Sequence, residues 1–472
     1  MNAMSVESQR SQQTQPFHRS LGLLDATMIV VGSMIGSGIF IAPSLMAGYL
    51  NAPGLVILLW LIGGVLSVFG GLSYGELAAA IPRAGGQYVF LREAYGPIWG
   101  FLYGWTLFLV IQTGFIAAVG VAFAKYLGVF LPSLSEANVI FSVGSYSVNS
   151  AQLVAIVSIV LLTVVNFFGV RLGALVQNVF TLSKLGALAL LILFAFAIGD
   201  GSFSNFTPVF STSVPETLQM TFFAAFAVAM SKALFAYDAW NSVTFTAEET
   251  KEPHKVLPRA LAYGTAITAV VYTLTTMAYL YIVPGAEAAT VVDNRIAAEV
   301  AQRVMGSAGL IFVTIAILIS TFGCNNGLIL SGPRVYYAMA KDKLFFHSVS
   351  NVHAVYRTPV VSLVFQCIWS CVLTLTGTYS DLLTYTTFAS LLFNVLTVVA
   401  LFVFRRKRPD MDRPYRVWGY PIVPAVYILV AVFFIVYIFV GDLRNSGLGL
   451  AIILAGIPVY YYWKNKGQAA TS

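Results

Sequence analysis

A chain of 472 residues that is 58% hydrophobic and only 10% charged, with a mean hydropathy of +0.82, is too apolar for a water-soluble domain and reads as an all-α polytopic membrane protein. The net charge of +7 comes from basic residues gathered in alternate loops, so it implies no nucleic-acid partner. All four histidines fall in tails and loops, which argues against buried haem ligands or an intramembrane metal site; no cofactor is implied.

Residues 1–20 are rich in Ser and Gln and have no apolar segment of their own, which predicts a disordered cytoplasmic tail and not a cleaved signal peptide. Apolar runs of about 20 residues then predict twelve transmembrane helices, at roughly 21–47, 54–81, 95–125, 151–168, 173–198, 217–247, 258–283, 306–339, 359–377, 380–404, 419–441 and 446–463, followed by a short tail, 464–472. Most of the 26 Lys and Arg residues fall in loops on the side of the N-terminus, including RRKRP after the tenth helix, and the positive-inside rule places both termini in the cytoplasm. Residues 293–304 read as a short amphipathic helix covering the outer face. Cys324, Cys367 and Cys371 all lie within spans, as free buried thiols.

Within the first span, GSMIGSGIF sets Gly32, Gly36 and Gly38 halfway across the bilayer and weakens the helix there. Unpaired backbone at that depth is tolerated only beside a polar cavity or inside protein, so a broken helix marks a binding site. Carbonyls before the break suit a cation, and the N–H groups after it suit an anion. An amino acid carries both charges.

Lys184 lies in the middle of the apolar fifth span, where an ammonium is costly unless it finds carbonyls or a carboxylate. The sixth span is interrupted at FAYDAWNS, Phe235 to Ser242, which places Asp238 near mid-membrane. Two interrupted helices five spans apart signal an inverted repeat, helices 1–5 (21–198) against helices 6–10 (217–404), with two extra C-terminal helices (419–463). Glu76, Arg83, Glu248 and Glu249 sit at cytoplasmic helix ends, either as an inner gate or as solvated termini. Asn325, Asn326 and Asn394 either line the pocket or bond between helices. A channel would want a repeated filter or a ring of like charge; broken helices in inverted halves point instead to alternating access.

VGSMIGSGIFIAP, YGELAAAIPRAGGQYVFLREAYGP, NFFGVRLGALVQNVFTLSKLGAL, LFAYDAWNSVTFTAEETKEPHKVLPRAL and RRKRPDMDRPYRV together resemble the amino acid/polyamine/organocation superfamily, and within it the bacterial relatives of the L-type amino acid transporters. The resemblance implies a secondary transporter of free L-amino acids, neutral ones first, working by sodium-independent exchange or by proton symport in the prokaryotic cytoplasmic membrane. Alternatives are a cationic amino acid or polyamine transporter of the same fold, or an amino-acid-sensing transceptor. The implied substrate-binding set is Ser33, Met34, Ile35, Gly36, Ser37, Gly38, Phe235, Ala236, Asp238 and Trp240. N–H groups at Gly36 to Gly38 and the Ser37 hydroxyl hold the carboxylate; carbonyls of Met34, Ile35, Phe235, Ala236 and Asp238 hold the ammonium.

Phe235 resembles the family's outer gate, and Trp240 and Asn241 divide evenly between site support and packing. Lys184 resembles the lysine that sodium-independent members place where others bind sodium, a tethered cation near Gly32 and Ser33. Asp238 departs from a common glycine, which leaves open a contact with cationic substrates, a proton site or a pairing with a nearby dipole; Lys232 is a candidate to neutralise it. The loop between the third and fourth helices has no cysteine, so no disulfide-linked heavy chain is expected.

Overall fold

The computed structural model describes residues 17–143, 146–376 and 379–469. Eleven helices among them are long and apolar enough to cross a membrane, and a shorter apolar helix, Val360–Leu375, makes the twelfth. The spans are Leu23–Ala47, Pro53–Ala80, Pro97–Phe130, Ser150–Phe167, Val170–Ile198, Phe222–Glu249, Pro253–Ile282, Ile296–Lys341, Val360–Leu375, Tyr379–Lys407, Ile422–Gly441 and Leu443–Ala469.

Local chemistry sets many of their ends. Pro53, Pro97 and Pro253 each open a helix at a position whose N–H has no helical partner. Asn149 caps the fourth span by accepting from Gln152 N at 3.0 Å while Gln152 Oε1 accepts from Asn149 N, a reciprocal capping box. Gly169, at φ 123°, makes the sharp turn between the fourth and fifth spans that an L side chain resists.

The first span is the most enclosed: 94% of its most apolar stretch is buried, against 28% in the fifth and twelfth, which present Leu, Val and Phe outward to lipid. The second and seventh spans pack along each other and against the first and sixth, while the third, fourth, fifth and eighth wrap the other side. Between the third and fourth spans a two-stranded antiparallel hairpin, Val139–Val143 with Tyr146–Asn149, covers one end of the bundle.

At the opposite end the polypeptide is laced shut. Phe17 is buried against Tyr337, with ring centroids 5.1 Å apart. Ser20 N and Leu21 N donate to Glu249 O at 2.9 and 3.0 Å, and Lys251 N donates to Leu21 O at 2.9 Å. Residues 17–20 therefore belong to the packed bundle, a correction to the expected disorder of the whole segment 1–20; residues 1–16 lie outside the described residues. The last helix likewise runs to Ala469, past the expected start of a tail at 464. Residues 296–305 form a helical segment joined to the eighth span through Gly306 (φ 62°), in place of a separate helix at 293–304.

Two ion pairs sit beneath this lacing. Glu249 and Arg334 are each under 3% exposed and pair through two hydrogen bonds of 2.8 Å, linking the end of the sixth span to the eighth. Glu76, at the end of the second span, accepts from Arg405 at 2.6 and 2.9 Å and from Val417 N at 2.8 Å. Outside the spans, Glu93 is raised by partial burial but lowered more by hydrogen bonds from Arg408 and Arg92, which hold its carboxyl below the usual value.

A buried pair broken on one side leaves an uncompensated charge, at a loss of about 3–5 kcal/mol. Arg334→Met should therefore lower the thermal unfolding midpoint in detergent, and adding Glu249→Leu should recover part of the loss. An Arg334→Met protein as stable as the parent would mean that the pair contributes nothing.

Candidate substrate site at the two helix breaks

The first span stops being helical after Met34 and restarts at Gly38. The carbonyls left without helical donors are met by side chains from three other spans. Lys184 Nζ donates to Gly32 O at 2.9 Å, to Ile35 O at 2.6 Å and to Ser320 O at 3.0 Å, so all three ammonium hydrogens are engaged. Ser320 Oγ adds a bond to Ile35 O at 3.1 Å, Cys324 Sγ donates to Ser33 O at 3.0 Å, and Tyr272 Oη reaches Met34 O at 2.7 Å.

The sixth span breaks at the same level. Its helix ends at Tyr237, Asp238 is extended, and Ala239 takes a left-handed conformation at φ 69° before a tight turn over Trp240–Glu249. An alanine there is strained by roughly 1–2 kcal/mol, and such strain concentrates at functional sites. Asp238 Oδ1 accepts from Ala239 N at 2.6 Å, and Ser390 supplies a second hydrogen bond to the carboxylate. Tyr272 Oη also lies 3.1 Å from Ala236 O, so one phenol bridges both broken helices.

Between the breaks lies a constricted cavity of about 10 Å³, room for little more than one water molecule. Ser33, Met34, Gly36, Ser37, Gly38, Phe235, Ala236 and Asp238 line it, as the sequence expected, together with Phe115, Val119, Ala239, Cys324 and Leu328. Phe115 and Phe235 meet over it with centroids 4.8 Å apart. A side chain added at Gly38 would meet Ala236 Cα at 2.8 Å, which shows why that position admits no Cβ.

Two expected members stand elsewhere. Ile35 is fully buried, and its carbonyl already accepts from Lys184 and Ser320; with both lone pairs taken it offers nothing to a substrate ammonium. Trp240 lines an adjacent cavity of about 20 Å³ with Leu66, Ser67, Tyr237, Thr387, Asn394 and Tyr427, where it packs edge-on against Tyr74 at 4.6 Å. Asp238 forms the wall common to the two cavities.

The asparagines divide between pocket and helix contacts. Asn394 accepts from Tyr74 Oη at 2.9 Å and from Gln87 Nε2 at 3.3 Å, and Asn241 donates to Gln87 Oε1 at 2.5 Å. Asn326 bonds across helices to Gly173 O and Gln177 Oε1, and Asn325 to Ile116 O. Lys232 is buried in the sixth span about one and a half turns before its break.

Several lining residues went unseen in the sequence. Phe115 follows a wide π-turn at Leu107–Ile111 in the third span, which reads as ordinary apolar helix. Tyr272, in the seventh span, is the missed residue with the most chemistry, a hydroxyl in an apolar helix with no glycine or charge beside it.

Two broken helices facing one another across a closed cavity at membrane depth define a transporter with an internal binding site, built for a small molecule and not for a continuous pore. A sequence profile of the family described as amino acid permease matches residues 21–460. The serine/threonine exchanger SteT of Bacillus subtilis is 33% identical over 450 residues, 95% of this chain and 97% of that one. The large neutral amino acids transporter small subunit 2 of Homo sapiens is 31% identical over 452 residues, 95% and 81% of the two chains, and the Asc-type amino acid transporter 1 of Mus musculus is 29% identical over 454 residues, 95% and 82%. The chain belongs to the amino acid permease family, in the amino acid/polyamine/organocation superfamily, beside the L-type transporters. It is a multi-pass membrane transporter of amino acids and not an enzyme.

Gly38→Val should abolish substrate binding, because the new side chain enters both the cavity and the Ala236 backbone; a thermal-shift titration that still shows ligand stabilisation would remove Gly38 from the site. Tyr272→Phe should keep the fold and weaken binding about five- to tenfold, the worth of roughly 1 kcal/mol for one net hydrogen bond. An unchanged affinity would mean that the bridge plays no part in binding.

Proposed function

We propose that the protein carries neutral L-amino acids across the cytoplasmic membrane by alternating access, without sodium, with both termini in the cytoplasm. The carrying observation is Lys184: an ammonium fixed between Gly32 O, Ile35 O and Ser320 O occupies the place beside the broken first helix where a coupling cation would sit. A sodium ion there would meet like charge at a few Å, a repulsion of about 4 kcal/mol at an effective dielectric near 20. The neutral side chains on most of the cavity wall, facing the polar backbone of two helix breaks, support a zwitterion as passenger. SteT is a serine/threonine exchanger and the human relative a transporter of large neutral amino acids, which supports the same class here.

The substrate carboxylate is taken by the start of the helix at Gly38, where the dipole favours negative charge. Its ammonium lies toward the Ala236 carbonyl at the end of the sixth helix, beside the Tyr272 hydroxyl. Phe115 and Phe235 form the outer closure, and the Glu249–Arg334 and Glu76–Arg405 pairs the inner one. The loop between the third and fourth spans has no cysteine, which supports action without a disulfide-linked partner. Asp238 on the cavity wall supports a second reading, in which a cationic amino acid or polyamine sets its second positive group against the carboxylate.

Uptake of radiolabelled amino acids into liposomes tests both readings. Replacing external sodium by choline should leave uptake unchanged, and lost uptake would overturn the tethered-cation role. Lys184→Ala should strongly impair transport while the protein stays folded, since first-helix carbonyls lose their donor. Preference for serine- or alanine-sized substrates supports the first reading; preference for lysine or ornithine supports the second. Stimulation by an imposed pH gradient distinguishes proton symport from obligatory exchange, which shows only trans-stimulation.

A further inference from the structure

Away from the central cavity, the third, fourth and eighth spans leave an open apolar groove of about 550 Å³. Its walls are Phe123 and Leu127 of the third span, Leu153, Val157 and Leu161 of the fourth, and Phe322 of the eighth. Ser133, Asn138 and Ser150 line the end nearest the hairpin, and deeper in the groove the Ser158 hydroxyl is turned back onto its own helix, donating to Ala155 O at 2.7 Å. The groups at the hairpin end are tied to one another: Asn138 Nδ2 donates to Ser133 O at 2.8 Å, and Ser150 Oγ to Ser135 O at 2.8 Å. Among the described residues, no charged side chain lines the groove.

From Ser150 to Leu161 the helix rises about 16 Å. That is close to half of a hydrocarbon core of about 30 Å, so the groove runs from the water boundary to the bilayer midplane, the depth of one leaflet. It is also continuous with the lipid-facing surface: Val157 is 66% exposed, Leu161 52%, and Val164, one turn further, 49%.

We propose that this groove is a lipid site, holding one acyl chain of a glycerophospholipid whose headgroup rests at the polar rim beneath the hairpin. An elongated, apolar groove of one-leaflet depth that opens on the lipid belt matches an acyl chain in length, chemistry and access. The absence of lining charge means that the chain, not the headgroup, is recognised. The floor gives the site a route to the transport machinery. Phe322 packs at a tilt against Phe123, with centroids 5.8 Å apart, and against Phe180 at 5.5 Å, and it lies between Ser320, which binds Lys184 and Ile35, and Cys324, which binds Ser33. A chain seated against Phe322 therefore bears on the stretch of the eighth span that closes the first-helix break. Occupancy itself does not depend on what the protein carries, so its test is independent of the transport assays.

Native mass spectrometry of the full chain, extracted in mild detergent and progressively delipidated, reads the site directly. The parent should retain one phospholipid to the last step, Leu161→Trp should lose it by filling the groove, and Val164→Trp, on the same lipid-facing side beyond the groove, should keep it. Equal retention in all three proteins, or none in the parent, would overturn the proposal, as would a dimer of the parent that Leu161→Trp converts to monomer. If Leu161→Trp does not fold, unmodified protein in vesicles of phosphatidylcholine with a photoactivatable acyl chain decides. Cross-links concentrated in 123–127 and 153–161 support the site; cross-links spread evenly along the fourth and fifth spans refute it.

Discussion

The backbone of the first span opens at mid-membrane, where four successive carbonyls, Gly32 to Ile35, lose their helical donors and only Met34 O regains one from its own segment, Gly36 N at 2.9 Å. Each is met by a side chain from another span: Lys184 of the fifth, Tyr272 of the seventh, Ser320 and Cys324 of the eighth. The requirement that backbone be satisfied thereby becomes a set of ties between helices. Moving any of these helices relative to the first means exchanging the donors, and a substrate ammonium is itself a donor. The chemistry that makes the break tolerable is thus also what allows a ligand to weigh on the arrangement of the bundle.

Both ends of the cavity are closed in this conformation, by different means. On one side two aromatic rings meet, a small apolar contact that separates readily. On the other, two ion pairs and a short parallel pairing between Leu21 and Thr250 hold the spans together. The N-terminal side is thus held by several polar bonds, while at the other end Ser44 Oγ also ties the first span to the segment after the seventh by donating to Ala288 O at 2.6 Å.

Much of the centre was legible in the sequence because it violates the surroundings. Glycines and serines in an apolar helix, a lysine at mid-membrane and an aspartate in FAYDAWNS are each expensive unless something answers them, and each lies at or beside the breaks. Phe115, Val119 and Leu328 carried no such signal: an apolar residue in an apolar span looks the same facing a substrate or a neighbouring helix. Tyr272 was hidden for a related reason, since tyrosine is unremarkable in a membrane helix until its hydroxyl is seen between two carbonyls. Ile35 was assigned a free carbonyl because the sequence does not count donors, and Trp240 was placed one cavity too far in because a helix break turns successive residues in directions that spacing does not reveal. The N-terminal residues from Phe17 read as tail by composition, yet a single aromatic with a pocket at Tyr337 fixes them.

Lys184 also bears on what can drive the cycle. An ion bound beside the first-helix break and released on the far side would move one charge through the membrane field, and 100 mV acting on one charge is worth about 2.3 kcal/mol. An ammonium that is covalently part of the fifth span is never released, so it fills the electrostatic role while delivering no such work. A zwitterion crossing with this lysine as the resident charge is indifferent to voltage. With no other ion moving, its exchange only levels the pools on the two sides, and a gradient would need the proton of a symport cycle.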